Sequence, residues 1–443
     1  MPDSEYTVEF VIVQPNSKTK YDAFWRRIGG FYNLAIPLLA SLTPNEFRIK
    51  VTDQSTQDLN YNSASDIIAI SFMTSHATSA YKVADEFRRQ GKTVVLGGIH
   101  ASALPDEAKE HADVVAIGEG ELIWPKILQD FVQGNLKPYY STTDLLTMND
   151  LPMPRHDLMP RFSKRIGMAS VQTTRGCPFA CEFCSITSVF GSHFRKRPIE
   201  NVIREIQQLD QKHIIMVDDN IATDQAYAAQ LFKALKPLNI KWVSQTDIKI
   251  AANHELLDLA AQSGCVGLLI GLESVEQGEL NNIGKSRYNA EEYSCLIKNI
   301  HNSGIMISGS FIFGLDGQGP DVFEKTINFI KKNGLAYAYL PILTPYPGTK
   351  IAQKFEKDGR IIHKNWELYD ASHVVFNPSG MSPEQLESGW TWATKELASP
   401  SSFFQRIKVA PVQMKYNILL NTVNFLGSRF DSPKRKINGK FST

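Results

Sequence analysis

Three of the five cysteines in this chain fall within eight residues. They are Cys177, Cys181 and Cys184, in the stretch TTRGCPFACEFCSI (173–186). Gly176 precedes the first cysteine and Pro178 follows it, so the C-x-x-x-C-x-x-C array reads as a loop rather than a helix face. Three chemistries compete for it. Structural thiols without a cofactor are the plainest. A structural zinc ion takes four ligands, and His193 is a candidate fourth, but no second C-x-x-C knuckle is present. A four-iron cluster is ordinarily held by four cysteines. Three cysteines would leave one iron without a protein ligand, open to a substrate or cofactor. Only this last reading explains why there are three thiols and not four.

Such a loop needs elements that hold it. From residue 166 the sequence alternates strand and helix patterns. Apolar runs MASVQTTRG, HIIMVDD, KWVSQTD, CVGLLIGLES, MISGSFIFGLD and YAYLPILTPYPG are separated by helical segments such as PIENVIREIQQLDQK and AYAAQLFKALKPL. Six strand–helix units over 166–375 predict a partial parallel barrel, with its chemistry at the C-terminal ends of the strands. The cysteines directly follow the first of these strands. Residues 1–136 show the same alternation: VEFVIVQP, FRIKVTDQ, DIIAISFMTS, TVVLGGIH and DVVAIGEGE read as strands. A doubly wound parallel sheet is expected, with ligands at the strand tips around Ser71, Thr74, Gly97 and Gly98. Residues 137–165 carry several prolines and no period and read as a linker. Residues 376–443 look helical, ending in a basic, polar tail, DSPKRKINGKFST, expected to be mobile. The fold class is therefore α/β in two parallel units with a helical C-terminal extension.

Composition narrows the function. The 443 residues are 43% hydrophobic and 21% charged, with 47 basic and 46 acidic residues. A net charge of +1 does not suggest a nucleic-acid partner. Five cysteines do not make a disulfide framework and fit a reducing cytoplasm. The N-terminus has no basic and then apolar pattern of a signal peptide, and no apolar run approaches a bilayer span.

With these motifs assembled, the sequence resembles the radical S-adenosylmethionine (SAM) superfamily. The array with aromatic Phe183 before its last cysteine, placed after the first strand of a six-strand barrel, carries the resemblance. It implies a [4Fe-4S] cluster on Cys177, Cys181 and Cys184, whose open iron is chelated by SAM. Reductive cleavage of SAM then yields methionine and a 5′-deoxyadenosyl radical that abstracts hydrogen from an unactivated carbon. By the same resemblance, Asp218 and Asp219 approach the SAM amino group, where the family often has Gly-Gly-Glu. Glu273 and Ser274 meet its ribose and carboxylate, and Gly309 lies beside the adenine. Carboxylates are suitable acceptors for an ammonium. Tyr346 and Thr349, in TPYPGT, fall near the substrate, although a rigid turn is the default reading of that motif. Cys265 and Cys295 read as buried small hydrophobes.

VVLGGIHASALPDEAKEHADVVAIGEGE resembles the cobalamin-binding-like domain that precedes many radical SAM barrels, and the likeness extends through GMSPEQLESGW. Its group includes enzymes acting on hopanoid lipids. The cobalt-ligating histidine of Asp-x-His-x-x-Gly is missing from VTDQSTQDLN, and many radical relatives lack it too. The resemblance implies cobalamin at Ser71, Thr74, Gly97 and Gly98, and methylation of an unactivated carbon in a small molecule or lipid. It also implies an electron donor such as flavodoxin or ferredoxin. One alternative is a cobalamin-independent radical reaction (rearrangement, oxidation, or carbon–carbon or carbon–sulfur bond formation) with the first domain as a scaffold or lid; another is a non-catalytic protein with a structural metal site. The location expected is cytoplasmic, peripheral to the membrane if the substrate is a lipid. The segment 408–430 mixes apolar and basic residues; packing on the barrel is preferred to contact with a membrane.

Overall fold

A computed structural model describes residues 5–15, 32–159, 168–187 and 191–430. The basic tail 431–443 and the end of the linker, 160–165, lie outside the described residues.

The first sheet is built from β1 (Tyr6–Ile12), β2 (Phe47–Asp53), β3 (Ile67–Ser71), β4 (Thr93–Gly97), β5 (Val114–Ile117) and β6 (Tyr139–Ser141). Its order is β2-β1-β3-β4-β5-β6 and every pair is parallel. The apolar runs are buried on both faces because helices cover both. Helices Ala35–Ser41 and Gly120–Val132 pack over Phe10, Ile67 and Val95. Helix Ala77–Arg89 packs over Val11, Ile68 and Leu96 on the other face. The chain leaves β1 outward to β2 and returns to β3, so the direction of winding reverses between β1 and β3. The doubly wound expectation therefore holds. Strand β6 lies inside the segment read as a linker. Three residues are too few to register a period of two. Tyr140 anchors the strand by donating to Asp130 Oδ2 at 2.8 Å.

The second sheet uses β7 (Met168–Val171), β10 (His213–Met216), β11 (Lys241–Thr246), β12 (Cys265–Glu273), β13 (Met306–Phe311) and β14 (Tyr337–Tyr339), side by side in chain order. Between β7 and β10 the chain adds a ribbon, β8 (Thr174–Arg175) against β9 (Arg195–Lys196), which the sequence pattern did not reveal. All main-sheet pairs are parallel. The connecting helices cover one face over a core that includes Phe232, Trp242, Ile270 and Phe311. Among the described residues β7 and β14 do not pair, so the six-unit barrel is open.

Helices Pro383–Ala398, Pro400–Val409 and Met414–Phe430 follow. The first starts at a capping box, Ser382 with Gln385. Arg406, 2% exposed, donates to the carbonyls of Leu335, Ala336 and Leu397 and to Asn421 Oδ1. Burial pulls its pKa down to about 10. Tyr416 Oη lies 3.1 Å from His213 Nε2 at the start of β10. The last two helices thus lie at the N-terminal end of the second sheet, away from the cysteine loop.

Arg406→Met should cost about 2–4 kcal/mol, because it strands buried carbonyls that water cannot reach. Urea unfolding of the full-length protein checks this; a change below about 0.5 kcal/mol would mean that the helix pair is held by its apolar contacts instead.

Candidate active site

The turn before the cysteines is held by β10. Asp218 Oδ1 accepts from the backbone N–H of Thr173 and of Thr174, each at 2.7 Å, and Asp218 Oδ2 accepts from Thr173 Oγ1 at 2.7 Å. Asp219 Oδ2 accepts from Gly176 N–H at 2.8 Å. Burial pushes Asp218 up to about 6 against these bonds, and also raises Asp219. Gly176 has φ +83°, and a Cβ there would lie 2.3 Å from the His193 carbonyl, so only glycine fits. Both aspartates therefore stand at the expected strand tip. The oxygens of Asp218 are engaged by the protein, however, and Asp219 is the one with acceptor capacity left.

Cys177 and Cys184 are half-buried and Cys181 is buried. The loop closes on itself through Cys184 N–H to the Cys181 carbonyl, 3.2 Å. Burial raises the Cys177 thiol and lifts Cys184 to about 11, and the neighbouring thiols raise both further. The three thiols thus share one neighbourhood. Among the described residues no three His, Cys, Asp or Glu side chains converge as a single-ion site, and the His193 side chain is exposed. Bare thiolates here would be desolvated and mutually repelling. A polynuclear cluster bonded to all three would relieve both penalties, so the residues fit a [4Fe-4S] cluster with one open iron.

A cation faces this loop, and sequence reasoning missed it. The Arg287 guanidinium lies 3.6 Å from the Phe179 ring centroid and 4.5 Å from that of Tyr288, with Nη2 4.0 Å from Cys181 Sγ. Arg287 Nε and Tyr288 Oη are buried without a partner. Their segment abuts the loop through Glu182 N–H to the Ile283 carbonyl, 3.4 Å. Unused buried donors beside the thiols are what an anionic ligand requires. Phe183 packs, half-buried, against the barrel core.

Glu273 closes β12 at a bulge with φ +65°, a left-handed backbone that a glutamate rarely adopts. Lys285 Nζ reaches Glu273 Oε1 at 2.7 Å and the Gly271 carbonyl at 3.0 Å. A Cβ at Gly271 would lie 2.7 Å from Glu273 Oε1, so glycine makes room for the pair. Ser274 is 2% exposed and donates to Glu279. Gly309 faces the helical layer, where a Cβ would meet Leu335 at 2.6 Å. Ser308 and Ser310 occupy the opposite face. Thr349 caps helix Lys350–Lys357, which supports the structural reading of TPYPGT. Cys265 is buried as expected, whereas Cys295 is exposed, because its helix turns that position outward.

In the first domain Ser71, Thr74, Gly97 and Gly98 gather at the tips of β3 and β4, beside the reversal point. Thr74 is 2% exposed, with Oγ1 3.2 Å from Nδ1 of the fully buried His100. Gly98 has φ +94°, and a Cβ would lie 2.7 Å from the Phe72 carbonyl oxygen. Ser71 and Gly97 are half-buried at the crevice, beside Met73, which is 55% exposed.

The two sets of strand tips face each other across a polar seam. Arg195 pairs with Glu119 and also donates to the Leu146 carbonyl at 3.0 Å. Arg175, 4% exposed, donates to Glu121 Oε1 at 2.7 Å and lies 3.5 Å from Glu119. Trp366 Nε1 donates to Glu107 Oε1 at 2.9 Å. Glu119 and Glu121 belong to GEGE, at the tip of β5; Arg175 immediately precedes Gly176 and Cys177.

The folded state holds the Asp218 proton to about pH 6, whereas the unfolded chain releases it near 3.8. Between those values this carboxyl makes stability fall as pH rises. Asp218→Asn should remove that slope and keep the fold, because its amide can replace the acceptors and face the Thr173 hydroxyl. Asp218→Ala should cost about 2–4 kcal/mol. Urea unfolding at about pH 4.5 and about pH 7 tests both, and a slope unchanged in Asp218→Asn would assign it to another group.

Residues 171–330 match the radical SAM superfamily and residues 47–128 match the B12 binding domain. The chain is 30% identical to the bacteriochlorophyllide d C-12(1)-methyltransferase of Chlorobaculum tepidum, over 95% of this chain and 93% of that one. It is also 30% identical to the bacteriochlorophyllide d C-8(2)-methyltransferase of the same organism, over 80% and 82% of the two chains. The fold superposes on the cobalamin-dependent SAM radical enzyme OxsB with aqua-cobalamin and SAM bound. The TM-score is 0.70 at 16% identity, covering 95% of this chain and 72% of that one. For the radical SAM methyltransferase TsrM of Kitasatospora setae, with cobalamin and a [4Fe-4S] cluster bound, the TM-score is 0.66 at 17% identity, over 80% and 78% of the chains. Its cofactors are those of its domains: a [4Fe-4S] cluster, SAM and cobalamin. The chain belongs to the radical SAM superfamily and, within it, to the methyltransferases whose radical SAM domain follows a B12-binding domain.

Proposed function

We propose that this enzyme methylates an unactivated carbon of a chlorophyll-type tetrapyrrole. The observation that carries methyl transfer is the seam. It holds the tips of the first sheet against the cysteine loop, so a methyl donor in one crevice and a radical source in the other share one space. The substrate class rests on the two bacteriochlorophyllide methyltransferases, which align over most of their length. Two neighbouring aromatic side chains on β14 are consistent with it. Tyr339 is 50% exposed, yet surrounding protein raises its phenol pKa, and its ring lies 5.0 Å from that of Tyr337. Ser308 and Ser310 are the strand partners of Tyr337 and Tyr339, so small residues lie beside the two rings on one sheet face, which suits a large planar ring.

When bound, the cluster and SAM supply a hydrogen-abstracting carbon radical and cobalamin supplies the methyl group. The chain's residues would do the rest. Cys177, Cys181 and Cys184 hold the cluster, and Phe183 supports their loop. Asp219 accepts from an ammonium, while Asp218 positions the turn. Lys285, released from Glu273, neutralises a carboxylate, and Glu273 becomes an acceptor for ribose hydroxyls. Ser71 and Gly97 line the cobalamin crevice; Thr74 and Gly98 shape it from behind. Ser274 and Gly309 act through packing. In our reading the first domain ends after β6, the radical domain runs to about residue 375, and the rest is the C-terminal extension. The enzyme works in the cytoplasm with a flavodoxin or ferredoxin as reductant.

Anaerobic purification with added cobalamin should give about four iron atoms and about one cobalt per chain. Turnover with bacteriochlorophyllide d should release a product heavier by one methylene. Cobalt-free protein that still cleaves SAM would move the first domain to a scaffold role. Methylation of a hopanoid but not of the tetrapyrrole would replace the substrate class. Each of Cys177→Ala, Cys181→Ala and Cys184→Ala should abolish cluster assembly, read as loss of the cluster's visible absorption.

Glu119→Gln should separate the two half-reactions. The domains lose part of their alignment, so methyl transfer should fall about ten-fold or more while SAM cleavage is retained. Equal losses in both would show that the seam serves the cysteine loop alone.

A further inference from the structure

The last helix packs on the barrel through a largely polar side and leaves several large apolar side chains in solvent. Its buried residues among those described are three asparagines, Asn417, Asn421 and Asn424, 2%, 6% and 8% exposed, and one apolar side chain, Val423. Asn421 donates to the Ala336 carbonyl at 2.8 Å and accepts from Arg406 at 2.7 Å. Meanwhile Met414, Ile418, Leu419 and Leu426 are exposed, Leu419 by 59%. At about 100° per residue these four lie within an arc of about 140°, so they form one face. The helix before it, which packs against it, exposes Phe404 by 66% and Val409 by 53%. Hydrogen bonds and the buried Val423 hold this element to the barrel, and the exposed apolar arc points outward, where water would penalise it.

Charge identifies what covers that face. From Lys408 to the C-terminus the sequence carries seven Lys and Arg residues and one acid, Asp431, in a chain of net charge +1. The remainder of the chain is therefore net acidic. Lys408 and Lys415 are exposed beside the apolar residues, and Lys434, Arg435, Lys436 and Lys440 follow in sequence directly after the helix. An apolar face flanked by basic residues matches a bilayer interface with anionic headgroups. No described helix is long and apolar enough to cross a membrane, so the contact lies on the surface.

We infer that the outward face of the helices Pro400–Val409 and Met414–Phe430, whose residues include no Asp or Glu, docks the enzyme on an anionic membrane surface. The face lies at the N-terminal end of the second sheet, opposite the cysteine loop. Docking therefore localises the enzyme and leaves the mouth of the site unobstructed. The inference does not depend on the methyl-transfer reading.

The test is co-sedimentation of the full-length, anaerobically purified protein with vesicles. One set is pure phosphatidylcholine and the other contains about 30% phosphatidylglycerol. Binding to the anionic set is expected, about ten-fold weaker on neutral vesicles and weaker again in high salt. The exposed-site variants Ile418→Glu and Leu419→Glu should each weaken binding by about ten-fold while the protein stays folded by circular dichroism. Lys408→Glu/Lys415→Glu should weaken binding to anionic vesicles only. Wild-type protein that stays in the supernatant with both vesicle types overturns the inference. So does a dimer, seen by analytical ultracentrifugation, that Leu419→Glu converts to monomer, since the face would then belong to a second copy.

Discussion

The turn Thr173–Gly176 is gripped from two sides, and the rest of the site depends on that grip. From the barrel, Asp218 and Asp219 take three backbone N–H groups and one hydroxyl of the turn. From the first domain, Glu121 takes the Arg175 side chain between them. The cysteine loop begins at the next residue. Its thiols have no sheet of their own to fix them, so their position is inherited from this turn. The cost is two carboxylates raised in pKa by burial, a destabilisation accepted where it orients a loop.

The same economy appears at the seam between the domains. A buried ion pair contributes little net stability, because desolvation offsets attraction. It does demand one geometry, since a misplaced partner leaves a buried charge unpaired. Glu119, shared by Arg195 and Arg175, therefore specifies how the two sheets face each other more than how tightly they adhere. For a reaction in which two cofactors serve one substrate, relative position is the quantity that matters. The opposite end of the barrel shows a related choice. Arg406 and Asn421 anchor the last two helices through carbonyls, while Ile418, Leu419 and Leu426 stay exposed.

Much of the architecture was legible beforehand. Every strand of the second sheet except the short ribbon announced itself as an apolar run, since strands buried under helices cannot hide their composition. The array of Cys177, Cys181 and Cys184 stood out in its spacing, and the structure gathers the three thiols in one loop. The strand tips 71–75, 97–98 and 218–219 were correctly expected at strand ends. Strand β6 and the β8–β9 ribbon were not, because two or three residues carry no period. Gly309 and Ser274 were assigned to the cofactor from their place in a motif. Strand parity turns Gly309 toward Leu335, and Glu279 claims the Ser274 hydroxyl.

What the sequence determined by itself were the properties set by neighbours along the chain: periodicity, the glycine and proline punctuation, and three thiols too few for an ordinary cluster. What only the tertiary structure decided were the pairings between distant residues. Arg195 with Glu119, Arg175 with Glu121 and Arg287 with Phe179 are separated by 76, 54 and 108 positions, and a charged residue far from its partner reads in sequence as an ordinary solvated side chain. Burial turns such a side chain into a constraint, and burial is a property of the folded whole.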